Sequence, residues 1–155
     1  MGSMETLQIE EMDAMRVARV IAKCENPEIT AFKALVYWAE RNEPEPSNSV
    51  RFFGFNDPCP EPGQTVYEYE AWMTVSEKVH GEGDVSIIMH PGRRYAVTVT
   101  PLREIGKAWA RLCIAVKASK YKIDSGPALE EALMNPTKTS FDKAKMKLYL
   151  PIKKA

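Results

Sequence analysis

The 155 residues fit a single domain, long enough to bury roughly 68–70% of the unfolded surface without metals or disulfides. Twenty-one basic and 21 acidic side chains cancel, so no overall field is left to hold nucleic acid or an anionic membrane. The apolar runs fall far short of the ~20 residues that span a bilayer, and Cys24, Cys59 and Cys113 are too few and too scattered for a disulfide framework or zinc pairs. Three isolated thiols fit a reducing, cytoplasmic setting.

In chain order, Gly2-Ser3 ahead of a second methionine, Met4, reads as a cloning scar over residues 1–3, although Gly2 and Thr6 formally fit a myristoylation pattern. Leu7 to Lys23 carries short apolar stretches between charges and predicts a strand. Asn26 then reads as an N-cap with Pro27 at the first helical position. Ile29, Phe32, Leu35, Val36 and Ala39 follow at helical spacing to about Arg41. Pro44, Pro46, Ser47 and Asn48 break this helix.

A strand is expected from Val50 to Phe55, with a turn through Asn56-Asp57-Pro58 and on to Gly63. Tyr67 to Val75 alternates most clearly: Tyr69, Ala71, Met73 and Val75 on one face, Glu68, Glu70, Trp72 and Thr74 on the other. Val85 to Met89 and Tyr95 to Thr100 are further strands, joined by Pro91-Gly92. Ile105, Ala108, Trp109, Leu112, Cys113 and Val116 restore the helical period, and Ala128 to Leu133 and Lys145 to Ile152 read as two final strands.

The order strand, helix, strand, strand is thus written twice, as half-modules of about 4–80 and 81–155 within one domain, 4–155. Phe32 and Leu35 correspond to Trp109 and Leu112 at an offset of about 77, and Asp57-Pro58 to Asn135-Pro136. The fold class is therefore α+β: duplicated βαββ modules with pseudo-twofold symmetry, antiparallel sheets, two main helices and a central groove suited to a ligand.

The sequence holds no Gly-rich phosphate loop, nucleophile elbow or histidine pair at metal spacing, so neither a cofactor nor a metal is expected. His80 and His90 sit in turn-rich segments and read as surface residues. Aromatic residues are spread over every element and mostly read as core. Trp72 differs: it shares a strand face with Glu68 and Glu70, which makes it a surface residue or a stacking platform for a flat ligand. Glu130 stands between Ala128 and Ala132 on one face of its strand. There it is either solvated, as Glu131 beside it could be, or turned into the groove, where a desolvated carboxylate favours a cation or acts as a general base. The lysines from Lys138 to Lys154 alternate with apolar residues, which reads as a solvated strand face rather than a nucleic-acid surface.

Six ordered stretches carry a family resemblance. They are Arg51 to Pro58 (RFFGFNDP), Tyr67 to Val75 (YEYEAWMTV), Arg94 to Val97, Ala108 to Leu112 (AWARL), Gly126 to Glu130 (GPALE) and Leu148 to Ile152 (LYLPI). Together they resemble the GyrI-like small-molecule-binding family, the bacterial transcription-activator effector-binding domain. The resemblance implies a cleft for bulky, often aromatic and cationic compounds, with a pocket glutamate at the position of Glu130. The aromatic residue that often follows two positions later is Ala132 here, which implies a roomier site. Because only about 25 residues precede the first helix, a DNA-binding helix-turn-helix is not expected, and the chain reads as a stand-alone binder without direct nucleic-acid contact.

The expected function is accordingly binding of aromatic or cationic small molecules, for sequestration or transcription-related sensing. Glu130 is the expected counter-charge, and Trp72, Trp109, Tyr69, Phe52 and Tyr37 are the expected aromatic walls. Adjacent helix positions point about 100° apart, so only one of Tyr37 and Trp38 can face the groove. Two alternatives follow from the resemblance: a hydrolase of cyclopropane-containing toxins with Glu130 catalytic, and a gyrase-inhibitory interaction module. A protein partner or homodimer is compatible with each.

Overall fold

The computed structural model describes residues 7–42, 50–56 and 59–155. The scar at 1–3, the breakers Pro44 to Asn48 and the Asp57-Pro58 half of the repeat lie outside the described residues.

The described strands are β1 (Gln8–Met12), β2 (Met15–Glu25), β3 (Phe52–Phe55), β4 (Val66–Thr74), β5 (Ser86–His90), β6 (Arg93–Pro101), β7 (Tyr121–Ile123), β8 (Leu129–Ala132) and β9 (Lys145–Lys154). The helices are α1 (Pro27–Asn42) and α2 (Ile105–Lys117). The single strand expected over Leu7 to Lys23 is two, because Asp13-Ala14 separates a short edge strand from a long central one. The short β7 escapes the sequence analysis; three residues are too few to show a period.

Every pairing among the described strands is antiparallel, in the order β1-β6-β9-β8-β3-β4-β2-β5, with β7 added against β9. This order is symmetric. From the β8–β3 seam outward, β8-β9-β6-β1 on one side mirrors β3-β4-β2-β5 on the other. The duplication therefore yields one continuous curled sheet rather than two, since the repeats join edge to edge where Phe52 to Gly54 pairs with Ala132 to Glu130. Joining the edges satisfies backbone groups that would otherwise be exposed.

Both helices lie on one face of this sheet. Proline at the first position of α1 starts the helix without wasting an amide. Asn26 ahead of it takes a left-handed conformation (φ 50°), as asparagine tolerates, and makes no capping hydrogen bond among the described residues. The expected N-cap is thus a backbone turn. Ala31, Phe32, Leu35 and Trp38 form the buried stripe of α1, packed on Ala18, Val20, Ala22, Tyr69, Ala71 and Met73. Helix α2 buries Ala108, Leu112 and Val116 against Ala96, Leu148, Leu150 and Ile152. Complete burial of Leu35, like that of Val116, contributes about 1.5–3 kcal/mol. Phe52, on the central strand β3, packs against both groups and ties the halves together.

A third apolar group fills the opposite, concave face: Val17, Phe53, Phe55, Trp72, Tyr95, Val97, Leu129 and Tyr149. Here the rings meet edge-on, as Phe55 does against Trp72 (5.4 Å, 88°) and Tyr95 against Tyr149 (5.5 Å, 80°), the geometry the ring quadrupoles favour.

Candidate functional site

Side chains alternate across strands, and on the helical face of the seam one transverse row reads Leu148, Glu130, Gly54, Ala71, Val20. A carboxylate thus occupies the middle of an otherwise apolar row, with Gly54, Ala71 and Ala132 giving a floor of small residues between the helices. Glu130 is half-buried, and no cation pairs with it among the described residues. Burial pushes its carboxyl up to about 7; a side-chain hydrogen bond from Trp109 on α2 pulls the other way, and the nearby Glu28 carboxylate adds to the rise.

Tyr69 closes the floor beside it. A side chain on Gly54 would overlap the Tyr69 hydroxyl and ring carbons, so the phenol lies directly over Gly54, next to Glu130 in the adjacent strand. Only glycine leaves room for that crossing. Tyr69 packs on Phe32 at 5.8 Å, and Phe32 meets Phe52 at 6.2 Å. Burial, then the charges of Glu130 and Glu28, holds the phenol well above its ordinary range, so at neutral pH it keeps its proton and can donate it in a hydrogen bond.

Of the residues singled out from sequence, the structure therefore gathers Glu130, Trp109, Tyr69 and Phe52 about the seam. Trp72 and Tyr37 lie elsewhere. Trp72 is 3% exposed on the concave face, wedged between Phe55 and His90, with its indole donating to Glu70 at 2.7 Å. Its strand face does carry Glu68 and Glu70, but the curl of the sheet encloses it. Tyr37 is 62% exposed on the outside of α1 under the Arg41 guanidinium, while its neighbour Trp38 is buried. Helix phase sets that choice, since Trp38 continues the stripe of Ala31 and Leu35 at i+3 and i+4.

Sequence reasoning missed three further features. Glu28, in the first turn of α1, accepts a 2.6 Å hydrogen bond from Tyr67 on β4. His90, read as a surface residue, is buried with Nε2 2.9 Å from the Tyr95 hydroxyl. Burial, then Arg93, lowers its pKa and favours the neutral ring. Glu131 points to the concave face, buried, and takes both prongs of the Arg51 guanidinium (2.8 and 3.0 Å) plus the Tyr149 hydroxyl at 2.5 Å. Adjacent glutamates on one strand thus do opposite things: Glu131 is neutralised structurally, and Glu130 is left without a counter-ion. Strand alternation could have shown that they part, but not which face each meets.

Among the described residues no cluster of histidine, cysteine, aspartate and glutamate could hold a metal ion, and no helix is long and apolar enough to cross a membrane.

No curated protein matches the chain. Among solved structures, the C-terminal domain of EcmrR superposes with a TM-score of 0.75 at 12% identity, over 97% of this chain and 98% of that one. In an EcmrR–DNA complex the corresponding values are 0.79, 12% and 97%, and this chain spans 58% of that longer one. A hydrolase from Listeria innocua gives 0.62 at 14% identity, over 94% and 91% of the two chains. SAV2435 bound to tetraphenylphosphonium gives 0.51 at 11%, over 96% and 94%. At such identities the likeness is one of fold. A profile of the GyrI-like small molecule binding domain, however, matches residues 5–153, almost the whole chain. The chain therefore belongs to the GyrI-like small-molecule-binding domain family.

Proposed function

We propose that the seam between the helices binds a bulky aromatic cation, with Glu130 as its counter-charge and Trp109, Tyr69 and Phe52 as its walls. The observation that carries this reading is the carboxylate itself. A half-buried glutamate without a cationic partner among the described residues is costly to keep ionised, and a cationic ligand relieves that cost. The indole and phenol beside it supply faces that attract cations, and burying a few hundred Å² of apolar ligand at about 25 cal/mol per Å² allows micromolar binding after association costs. Sequestration or effector sensing in a transcription-related setting is the role such a site would serve.

Titration with tetraphenylphosphonium, followed by tryptophan fluorescence, tests the assignment. Saturable quenching by the wild type should weaken about tenfold or more in Glu130→Gln; an unchanged dissociation constant sinks it.

A second reading rests on the same carboxyl, because a pKa near 7 beside a phenol is also what proton transfer needs. Glu130 would then take a proton from a water whose oxygen bonds to one carbon of a strained cyclopropane; the ring C–C bond breaks, and its electron pair takes up that proton, so that water is added across the bond. Chromatography of the recovered ligand separates the two: a binder returns it intact, whereas consumption that stops in Glu130→Gln establishes turnover.

A further inference from the structure

A second carboxylate stands beside the seam, on α1. Glu28 is half-buried in the first turn of α1 and held by the Tyr67 hydroxyl. Tyr67 shares its β4 face with Tyr69 and Ala71. From Glu130 the path crosses Gly54 to Ala71, then runs four residues back along β4 to Tyr67. Two strand spacings and four residue rises place the Glu130 and Tyr67 backbones roughly 17 Å apart, and the long side chains between them close part of that gap.

Neither Glu28 nor Glu130 has an ion pair among the described residues; the paired cations there serve Glu10, Glu11, Asp124 and Glu131. Between the two carboxylates stands Tyr69, 3% exposed, with its hydroxyl lying over Gly54. Its position over Gly54 sets the phenol beside Glu130, which pairs with Gly54 across the seam. Burial, then the two carboxylates, pushes Tyr67 up to about 12 and raises Tyr69 well above its ordinary range, so both phenols stand near Glu28 and Glu130.

We infer that the groove is suited to a ligand with two cationic centres, an aromatic dication that sets one centre against Glu130 and the other against Glu28, with the Tyr69 hydroxyl meeting it between them. This rests on the reading of Glu130 as a ligand counter-charge and adds a selectivity to it. The Tyr67 hydrogen bond fixes the Glu28 carboxylate and leaves its second oxygen for the ligand.

Ethidium and propidium test it, since they share one phenanthridinium ring and propidium adds a quaternary ammonium on a short arm. The wild type should bind propidium about 5-fold more tightly, the worth of one half-exposed ion pair. That preference should shrink as salt is raised from 0.05 to 0.5 M, a comparison that needs no variant. Glu28→Gln, whose amide oxygen can still accept from Tyr67, should bring the two dyes level and leave ethidium within twofold of its wild-type affinity. Glu130→Gln should weaken both dyes. Equal binding of the dyes by the wild type, or a propidium preference that survives in Glu28→Gln, overturns the second subsite while ethidium's dependence on Glu130 still upholds the first. Failure of both dyes to bind the wild type overturns both readings.

Discussion

Replacing Glu130 by glutamine should make the protein more stable, and more so as the pH rises. The carboxyl stands near 7 in the folded chain against an ordinary 4.5, so the folded state holds a proton that the unfolded state has released. Stability therefore falls as pH rises from about 4.5 to about 7, and is flat in this respect above that. At 1.36 kcal/mol for each pH unit of that interval, the ionised side chain costs roughly 3 kcal/mol at pH 8, as an upper bound, and under 1 kcal/mol at pH 5. Glutamine has a similar shape, carries no charge and can still accept from Trp109. Urea unfolding of both proteins at pH 5 and pH 8 measures the difference. With a slope of about 2 kcal/mol per M for a chain of this size, Glu130→Gln should unfold more than about 1 M later at pH 8 and nearly together with the wild type at pH 5. Coincident midpoints at both pH values would mean that Glu130 is well solvated, and the argument for a ligand counter-charge would fail with it. A gain in stability paired with a loss of ligand affinity is the pattern expected of a binding residue rather than a structural one.

Gly54→Ala should destabilise the fold by about 1–3 kcal/mol, because the added methyl group meets the Tyr69 ring as well as its hydroxyl; Tyr69→Phe should not rescue it. A cost below about 0.5 kcal/mol by urea unfolding would mean that the phenol moves aside freely. Glu131→Ala should cost about 2 kcal/mol, at the low end for a buried pair, since the Arg51 side chain is 40% exposed and can turn to water while Tyr149 loses its acceptor. A loss of ligand affinity equal to that of Glu130→Gln would count against the separation of the two faces. For His90, whose pKa is lowered in the folded state, stability should drop as pH falls below the ordinary histidine range near 6.5, because the unfolded chain takes up the proton first. The trend is best read in the Glu130→Gln background, where the opposing carboxyl is gone, and His90→Gln should flatten it.

The periodicity of the chain was enough to define most elements. Hydrophobic spacing located α1, α2, β4, β6 and β9 within a few residues but read β1 and β2 as one strand, and the repeated order of elements implied the βαββ duplication. Alternation also put Glu130 on a face with Ala128 and Ala132, and Trp72 on a face with Glu70 rather than Tyr69. These are local properties, set by backbone geometry within one segment. What the tertiary structure decided is which face each residue meets. The β3–β8 pairing joins residues about 80 positions apart and sets Gly54 against Glu130, which no local pattern encodes. The curl of the sheet encloses Trp72, read from its strand as a surface residue or a stacking platform, and His90, read from its turn context as a surface residue. Helix phase alone settles Tyr37 outward and Trp38 inward, and a rotation of 100° would have reversed them. Glu28 joined the site only because α1 lies across β4, so its acidity carried no signal in sequence beyond a favourable place in the first turn of a helix. Sequence fixes which side chains share a face; only long-range pairing and curvature determine which face is covered, and by what.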